Sequence, residues 1–184
     1  EFYPSGIVNR VPGTNNVMLY AAKREKEYYA QKQRFWDEAV NTKSFNQDNS
    51  KRNHNIVDVL DYFEENDTAY FVMEFLDGVP LNKYLKEKGG KLSVQEAADI
   101  VLKIANALIT VHEKGFVHRD ISPDNIFMCK GGVVKLIDFG AARFAENEDA
   151  QLSIILKPGY APAEQYEKVN EQGPWTDIYA LGAT

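Results

Sequence analysis

Residues 118–125 read HRDISPDN, and residues 138–140 read DFG. The first stretch sets an acid, Asp120, and an amide, Asn125, on either side of Pro123. Proline with neighbouring Ser, Asp and Asn favours a turn-rich loop over the interior of a helix or strand. The decisive question is what flanks this loop and what it presents.

Upstream, SVQEAADIVLKIANALITVHEKG (93–115) is the clearest helix in the chain. Ser93 with Glu96 predicts a capping box, and Gly115 is placed to end the helix. Ala97, Val101, Ile104, Ala105, Leu108 and Val111 predict one apolar stripe facing a core. Downstream, NIFMCK and VVKLID around Gly131 and Gly132 predict a hairpin. From about Phe139 to Gly173 no clear periodicity follows, and segments of that kind are usually functional.

Further out, NIVDVLDYFEE and TAYFVMEFL around the turn residues NDT predict a second hairpin of β-branched and aromatic residues. DGVPLNKYLKEKGG predicts a turn, a short helix and a glycine stop. Lys23 to about Phe45 is free of Pro and Gly, and sets Tyr28, Phe35 and Ala39 near helical spacing, so a helix is expected there. SGIVNRVPGTNN before it predicts a loop. There are no internal repeats.

Composition narrows the function classes. The 184 residues are 44% hydrophobic, enough for one sizeable core or two small lobes. A net charge of −6 argues against a nucleic-acid partner, which needs a basic face. A single cysteine, Cys129, excludes an internal disulfide framework and suits a reducing compartment. No apolar run is long enough to cross a bilayer, so a cytoplasmic segment without membrane contact is expected. The chain begins EFYPSG and stops at TDIYALGAT, which reads as two cuts through a larger fold.

HRDISPDN, DFG, PGYAPAEQY (158–166) and DIYALG (177–182) occur together in an order that resembles the protein kinases. The resemblance is closest to bacterial kinases of the eukaryotic-like Ser/Thr type and covers essentially the whole chain. It implies an α+β, two-lobed fold, with a small lobe over residues 1–76 and a mainly helical lobe over 77–184. It also implies that the Gly-rich phosphate loop and the third-strand lysine precede Glu1, and that the chain stops at the start of a buried helix. The 184 residues alone are therefore expected to be inactive.

The same resemblance assigns roles. Asp120 resembles the base that orients a substrate hydroxyl, while Asn125 and Asp138 resemble the side chains that hold Mg²⁺ or Mn²⁺. Taken singly, Asp120 could cap a turn and Asn125 could make a local side-chain bond. Glu38 resembles the helix glutamate that holds the third-strand lysine. In FVMEFLDG, Met73 resembles the residue behind adenine, with the Glu74 carbonyl and Leu76 N–H bonding the base and Phe127 packing under it. His118 resembles a packing residue against the Phe of DFG, and His54 and His112 have no metal-ligand spacing. Arg119 and Arg143 could converge on a phosphate at Ser153, although a plain solvated serine fits that position equally. Tyr160, Glu164 and Asp177 read as structural, with Asp177 bracing the HRD backbone.

One departure stands out. Ser/Thr kinases usually carry lysine where this chain has Ser122, which leaves the choice between Ser/Thr and Tyr hydroxyls open. Counting back from Glu164 through KPGYAPAE, the position where the family has a threonine falls on Lys157. Lys157 is expected to supply the missing cation. The function implied is transfer of the ATP γ-phosphate to protein Ser/Thr hydroxyls. The rival readings are a pseudokinase that binds nucleotide as a scaffold and a small-molecule kinase of the aminoglycoside type.

Overall fold

The computed structural model describes residues 1–144, 156–167 and 172–184 of the chain. Two compact units emerge: Glu1–Ser44 with Asp58–Glu74, and Phe45–Val57 with Phe75–Thr184.

In the first unit, β1 (Val8–Arg10) pairs antiparallel with β2 (Val17–Leu19). Helix α1 (Glu25–Phe45) follows, and β3 (Val59–Glu65) pairs antiparallel with β4 (Thr68–Met73). The β1–β2 ribbon replaces the loop expected over residues 5–16. Its strands are only three residues each, too short to show alternation around Pro12 and Gly13. Ile7, Val8, Val17 and Tyr28 form the core of this unit. Asn66 and Asp67 take φ of 54° and 60°, the doubly left-handed geometry of a two-residue hairpin turn that suits the twist of its strands. The Tyr28 hydroxyl donates to the Asp67 carbonyl at 2.7 Å and ties α1 to that turn. Phe35 meets Phe71 at 4.7 Å between ring centroids.

The second unit holds β5 (Gly78–Pro80), α2 (Leu81–Glu87), α3 (Val94–Glu113), β6 (Phe116–Val117), β7 (Ile126–Cys129), β8 (Val134–Leu136), β9 (Arg143–Phe144), α4 (Ala163–Glu167) and α5 (Pro174–Ala183). The strands β5, β7 and β8 form one sheet in that order, and β6 pairs with β9. At Gly78 a Cβ would fall 2.0 Å from the Met128 carbonyl oxygen, so only glycine lets β5 approach β7 this closely.

Residues 45–57, which the sequence reading assigns to the first lobe, pack within this second unit. Phe45 meets Phe116 edge-on at 5.5 Å. Asn53 Nδ2 donates to Asn106 O at 2.9 Å and to Thr110 Oγ1 at 2.8 Å, both on α3. Ile56 bridges to Leu136 of β8. The expected hairpin strand therefore starts later, at Val59, because Ile56 and Val57 serve this other core.

Helix α3 is where predicted, and Ile104, Leu108 and Val111 of the expected stripe are buried with Ala105 packed beside them, but Val101 is not part of the buried face. Ile100, Ile104, Ala107, Leu108 and Val111 face the core, while Val101 is 39% exposed. Apolar residues surround much of this helix, so a 3.6-residue period fits more than one stripe. The capping box is also half of what was expected. Ser93 Oγ accepts the Glu96 N–H at 3.2 Å, but the Glu96 carboxylate accepts the Tyr84 hydroxyl at 2.6 Å and so ties α3 to α2. Gly115 takes φ of 78° and ends the helix as expected. Among the described residues, no helix is long and apolar enough to cross a membrane.

Candidate functional site

The HRDISPDN loop joins β6 to β7, and buried contacts fix its backbone. Ile121 and Ser122 are almost completely buried. Arg119 takes φ of 70°, a region that costs a long side chain energy and tends to persist only where the surroundings impose it. The imposing group is Asp177 on α5, wholly buried. Its carboxylate accepts the His118 N–H at 2.8 Å and the Arg119 N–H at 2.7 Å. The same carboxylate lies 2.7 Å from His112 Nε2 on α3. From α4, Gln165 Nε2 donates to the Arg119 carbonyl at 2.9 Å. Both the N–H and the C=O of the left-handed residue are thus held.

On this fixed loop the Asn125 amide donates from Nδ2 to the Asp120 carbonyl at 2.8 Å and to Asp120 Oδ2 at 2.7 Å. The local bond foreseen for Asn125 is therefore made, and it uses the amide nitrogen. Oδ1 remains as the atom able to meet a cation. The Asn125 carbonyl accepts the Ile137 N–H at 2.9 Å, which carries Asp138 to the same end of the β7–β8 hairpin. Asp138 is exposed and left-handed, with φ of 61°, and its Oδ1 accepts the Gly140 N–H at 3.2 Å. An amide oxygen and a carboxylate are hard donors suited to a divalent cation such as Mg²⁺. Among the described residues no group of three or more His, Cys, Asp or Glu is arranged for a metal, so a cation here would rest on these two side chains and its other ligands.

His118 is fully buried and meets the Phe139 ring at 4.7 Å, edge to face. Phe139 in turn contacts Phe45 at 5.0 Å. Burial pushes the His118 imidazole below its ordinary pKa, against weaker opposition from the charges of Asp177, Asp120 and Asp138. It therefore packs as a neutral ring and has no path to a substrate proton.

Lys157 reaches the catalytic loop from the segment after the undescribed residues. Its Nζ donates to Ser122 Oγ at 2.7 Å and lies 2.5 Å from Asp124 Oδ2. The Lys157 ammonium beside Asp124 holds that carboxyl below the usual carboxylate range, with Asn82 Nδ2 as a further donor to it. The Lys157 carbonyl accepts the Tyr160 and Ala161 N–H groups, each at 3.0 Å, so the lysine stems from a closed turn.

The remaining expected residues fall as follows. Arg119 is buried, and its Nε donates to Gln172 Oε1 at 2.6 Å. Arg143 lies on β9 opposite Val117, while Ser153 lies outside the described residues. Phe127 pairs across the sheet with Pro80 and Lys135, and Leu76 packs on the core of the second unit. Glu38, Met73 and Glu74 belong to the first unit. There the Glu74 carboxylate accepts the Asp58 N–H at 2.8 Å, and Met73 is 47% exposed. Glu164 accepts the Thr176 hydroxyl at 3.0 Å, joining α4 to α5. Sequence reasoning missed His112, Gln165 and Gln172. Gln165 lies within PGYAPAEQY, whereas His112 and Gln172 belong to no motif, and only the folded chain brings the three to the HRD backbone.

The protein kinase domain family matches residues 4–184. The probable serine/threonine-protein kinase CPE1738 of Clostridium perfringens is 36% identical over 131 residues, covering 71% of this chain and 19% of that protein. Serine/threonine-protein kinase PknA of Mycobacterium tuberculosis is 36% identical over 133 residues, covering 69% of this chain and 31% of that one. The chain thus spans less than a third of the length of either of these two relatives. A solved structure titled "PpkA-294 apo form" superposes with a TM-score of 0.81 at 34% identity, over 98% of this chain and 61% of that chain.

Proposed function

Because this chain belongs to the protein kinase domain family, we propose that the complete protein transfers the γ-phosphate of ATP to serine or threonine hydroxyls of a protein substrate. The observation that carries this reading is the Asp120–Asn125 clamp. One amide nitrogen holds both the carbonyl and the carboxylate of Asp120, at 2.8 and 2.7 Å. That arrangement restricts the Asp120 carboxylate while leaving Oδ1 of both residues available. Phosphoryl transfer asks little covalent chemistry of the protein and much positioning, which a clamped acid supplies.

In this reading Asp120 accepts the proton of the incoming hydroxyl and orients its oxygen. Asn125 Oδ1 and the Asp138 carboxylate hold Mg²⁺ or Mn²⁺, which neutralises charge on the phosphates when bound. Leu76 and Phe127 contact the adenine, while Met73, Glu74 and Glu38 take the roles that the resemblance assigns them. The Ser/Thr preference is supported by the names of the relatives. A cytoplasmic setting suits an ATP-dependent enzyme with a single cysteine, and the net charge of −6 disfavours nucleic acid as substrate.

The test is incubation of the complete protein with γ-labelled ATP, Mg²⁺ and a generic protein substrate, followed by phosphoamino-acid analysis. Label on serine or threonine, abolished by Asp120→Asn, is the expected result. A melting temperature raised by Mg²⁺–ATP with no transfer to any protein would instead identify a nucleotide-binding scaffold. Transfer to an aminoglycoside alone would identify a small-molecule kinase.

A further inference from the structure

The catalytic loop carries more acid than base where a transferring phosphoryl group needs positive charge. Residues 118–125 include Asp120 and Asp124. His118 is a buried neutral ring, and Arg119 is 7% exposed with its Nε on Gln172. Two residues after Asp120 stands Ser122, a hydroxyl with a wholly buried side chain. Onto that hydroxyl folds the ammonium of Lys157, from 35 residues further along the chain.

We propose that Lys157 is the cation that neutralises the phosphoryl group in transfer at Asp120, and that Ser122 is the seat that holds its ammonium. The proposal rests on the phosphotransferase reading above. An ammonium has three N–H donors. Ser122 Oγ at 2.7 Å and Asp124 Oδ2 at 2.5 Å engage two, and the third is available to a phosphate oxygen. The Lys157 side chain is 29% exposed and Asp124 is 47% exposed, so this ion pair meets solvent. Exposed pairs of that kind are weak, and a multiply charged phosphate competes well against a single carboxylate. The stem is held by the turn that the Lys157 carbonyl closes, which makes the position of the charge reproducible. A flexible four-carbon chain ending in a point charge suits delivery from such an anchor.

This arrangement has a consequence for control. The cation belongs to the segment that precedes α4 and not to the catalytic loop. Charge at the site therefore depends on where that segment lies, and displacing residues 156–161 would remove a phosphate contact without altering Asp120, Asn125 or Asp138.

Kinetics of Lys157→Ala and of the double variant Ser122→Lys with Lys157→Thr, in the complete protein, test the assignment. Lys157→Ala is expected to lower kcat about a hundred- to a thousandfold, the scale of losing one preorganised charge-stabilising group, while nucleotide affinity stays within about threefold. The double variant, which returns the ammonium to the loop, is expected to recover at least about tenfold of that loss. A Lys157→Ala enzyme within about threefold of wild type in kcat overturns the proposal. So does a double variant no faster than Lys157→Ala, even if the single variant has lost stability. Wild-type and Asp120→Asn proteins in the same assay separate the two readings. An active wild type, an inactive Asp120→Asn and an active Lys157→Ala together refute the role of Lys157 alone. An inactive wild type refutes the phosphotransferase reading, and this proposal falls with it.

Discussion

Asp177 Oδ1 accepts the backbone N–H of Arg119 at 2.7 Å, and Arg119 sits at φ of 70°. A helix residue near one end of the chain thus sets the conformation of the residue beside the proposed base. The other carboxylate oxygen serves the His118 N–H and His112 Nε2, at 2.8 and 2.7 Å. Removing this carboxylate leaves two buried backbone donors without their acceptor. Asp177→Ala is expected to destabilise the protein by about 2–6 kcal/mol, since each of the two buried unsatisfied donors costs about 1–3 kcal/mol. Asp177→Asn, which keeps one acceptor oxygen, should cost less. Denaturant unfolding measures both, and a loss under about 0.5 kcal/mol for the alanine variant would mean that the brace is idle.

The two faces of α3 give an independent check on the core. Ile104 is fully buried, whereas Val101 is 39% exposed. Ile104→Ala should cost about 2–5 kcal/mol through lost burial and the cavity left behind. Val101→Ala should cost under about 1 kcal/mol. Equal losses would indicate that Val101 packs into the core as fully as Ile104.

Histidine 118 predicts a specific pH dependence. Burial holds its pKa below the ordinary value. The unfolded chain therefore binds a proton near about pH 6.5 that the folded chain refuses. The stability associated with the neutral ring is complete above that pH and declines as the pH falls below it. Melting temperatures recorded between pH 5 and 8 should drop on the acid side in wild type. In His118→Asn, a less stable protein overall, that acid-side slope should be reduced. An unchanged slope would assign the acid sensitivity to other groups.

Asp120 and Asp138 should separate kinetically in the complete protein. Asp120→Asn is expected to lower kcat by orders of magnitude with little change in ATP affinity, because the proton is accepted in the transition state. Asp138→Ala is expected to abolish the Mg²⁺-dependent part of ATP binding, read by titration with and without the metal. Near-normal kcat in Asp120→Asn would require another base.

Much of this molecule was legible before folding. Residues that act over a few positions left signals: Ser93 at the start of α3, Gly115 at its end, and the two-residue turn between β3 and β4. Asp120, Asn125 and Asp138 stood out because the family resemblance singles out those side chains within HRDISPDN and DFG. The short strands β1, β2 and β5 were not, since three residues carry too little pattern to distinguish a strand from a loop. Nor was the partition of residues 45–57, whose apolar and amide side chains do not specify which core they join.

By itself the sequence determined the family, the order of the longer elements and the identity of the loop that carries the acid. These depend on local spacing and residue type, which the linear chain contains in full. Only the tertiary structure decided that Ile100 and Ala107 complete the buried face of α3 in place of Val101, that His112 and Gln165 join Asp177 around the HRD backbone, and that the Lys157 ammonium bonds Ser122 itself. Those facts are separations between residues far apart in the chain: 35 positions for Lys157 and Ser122, 58 for Arg119 and Asp177. Packing of the whole core sets such distances, because a buried donor or charge must find its partner wherever the fold brings one within reach.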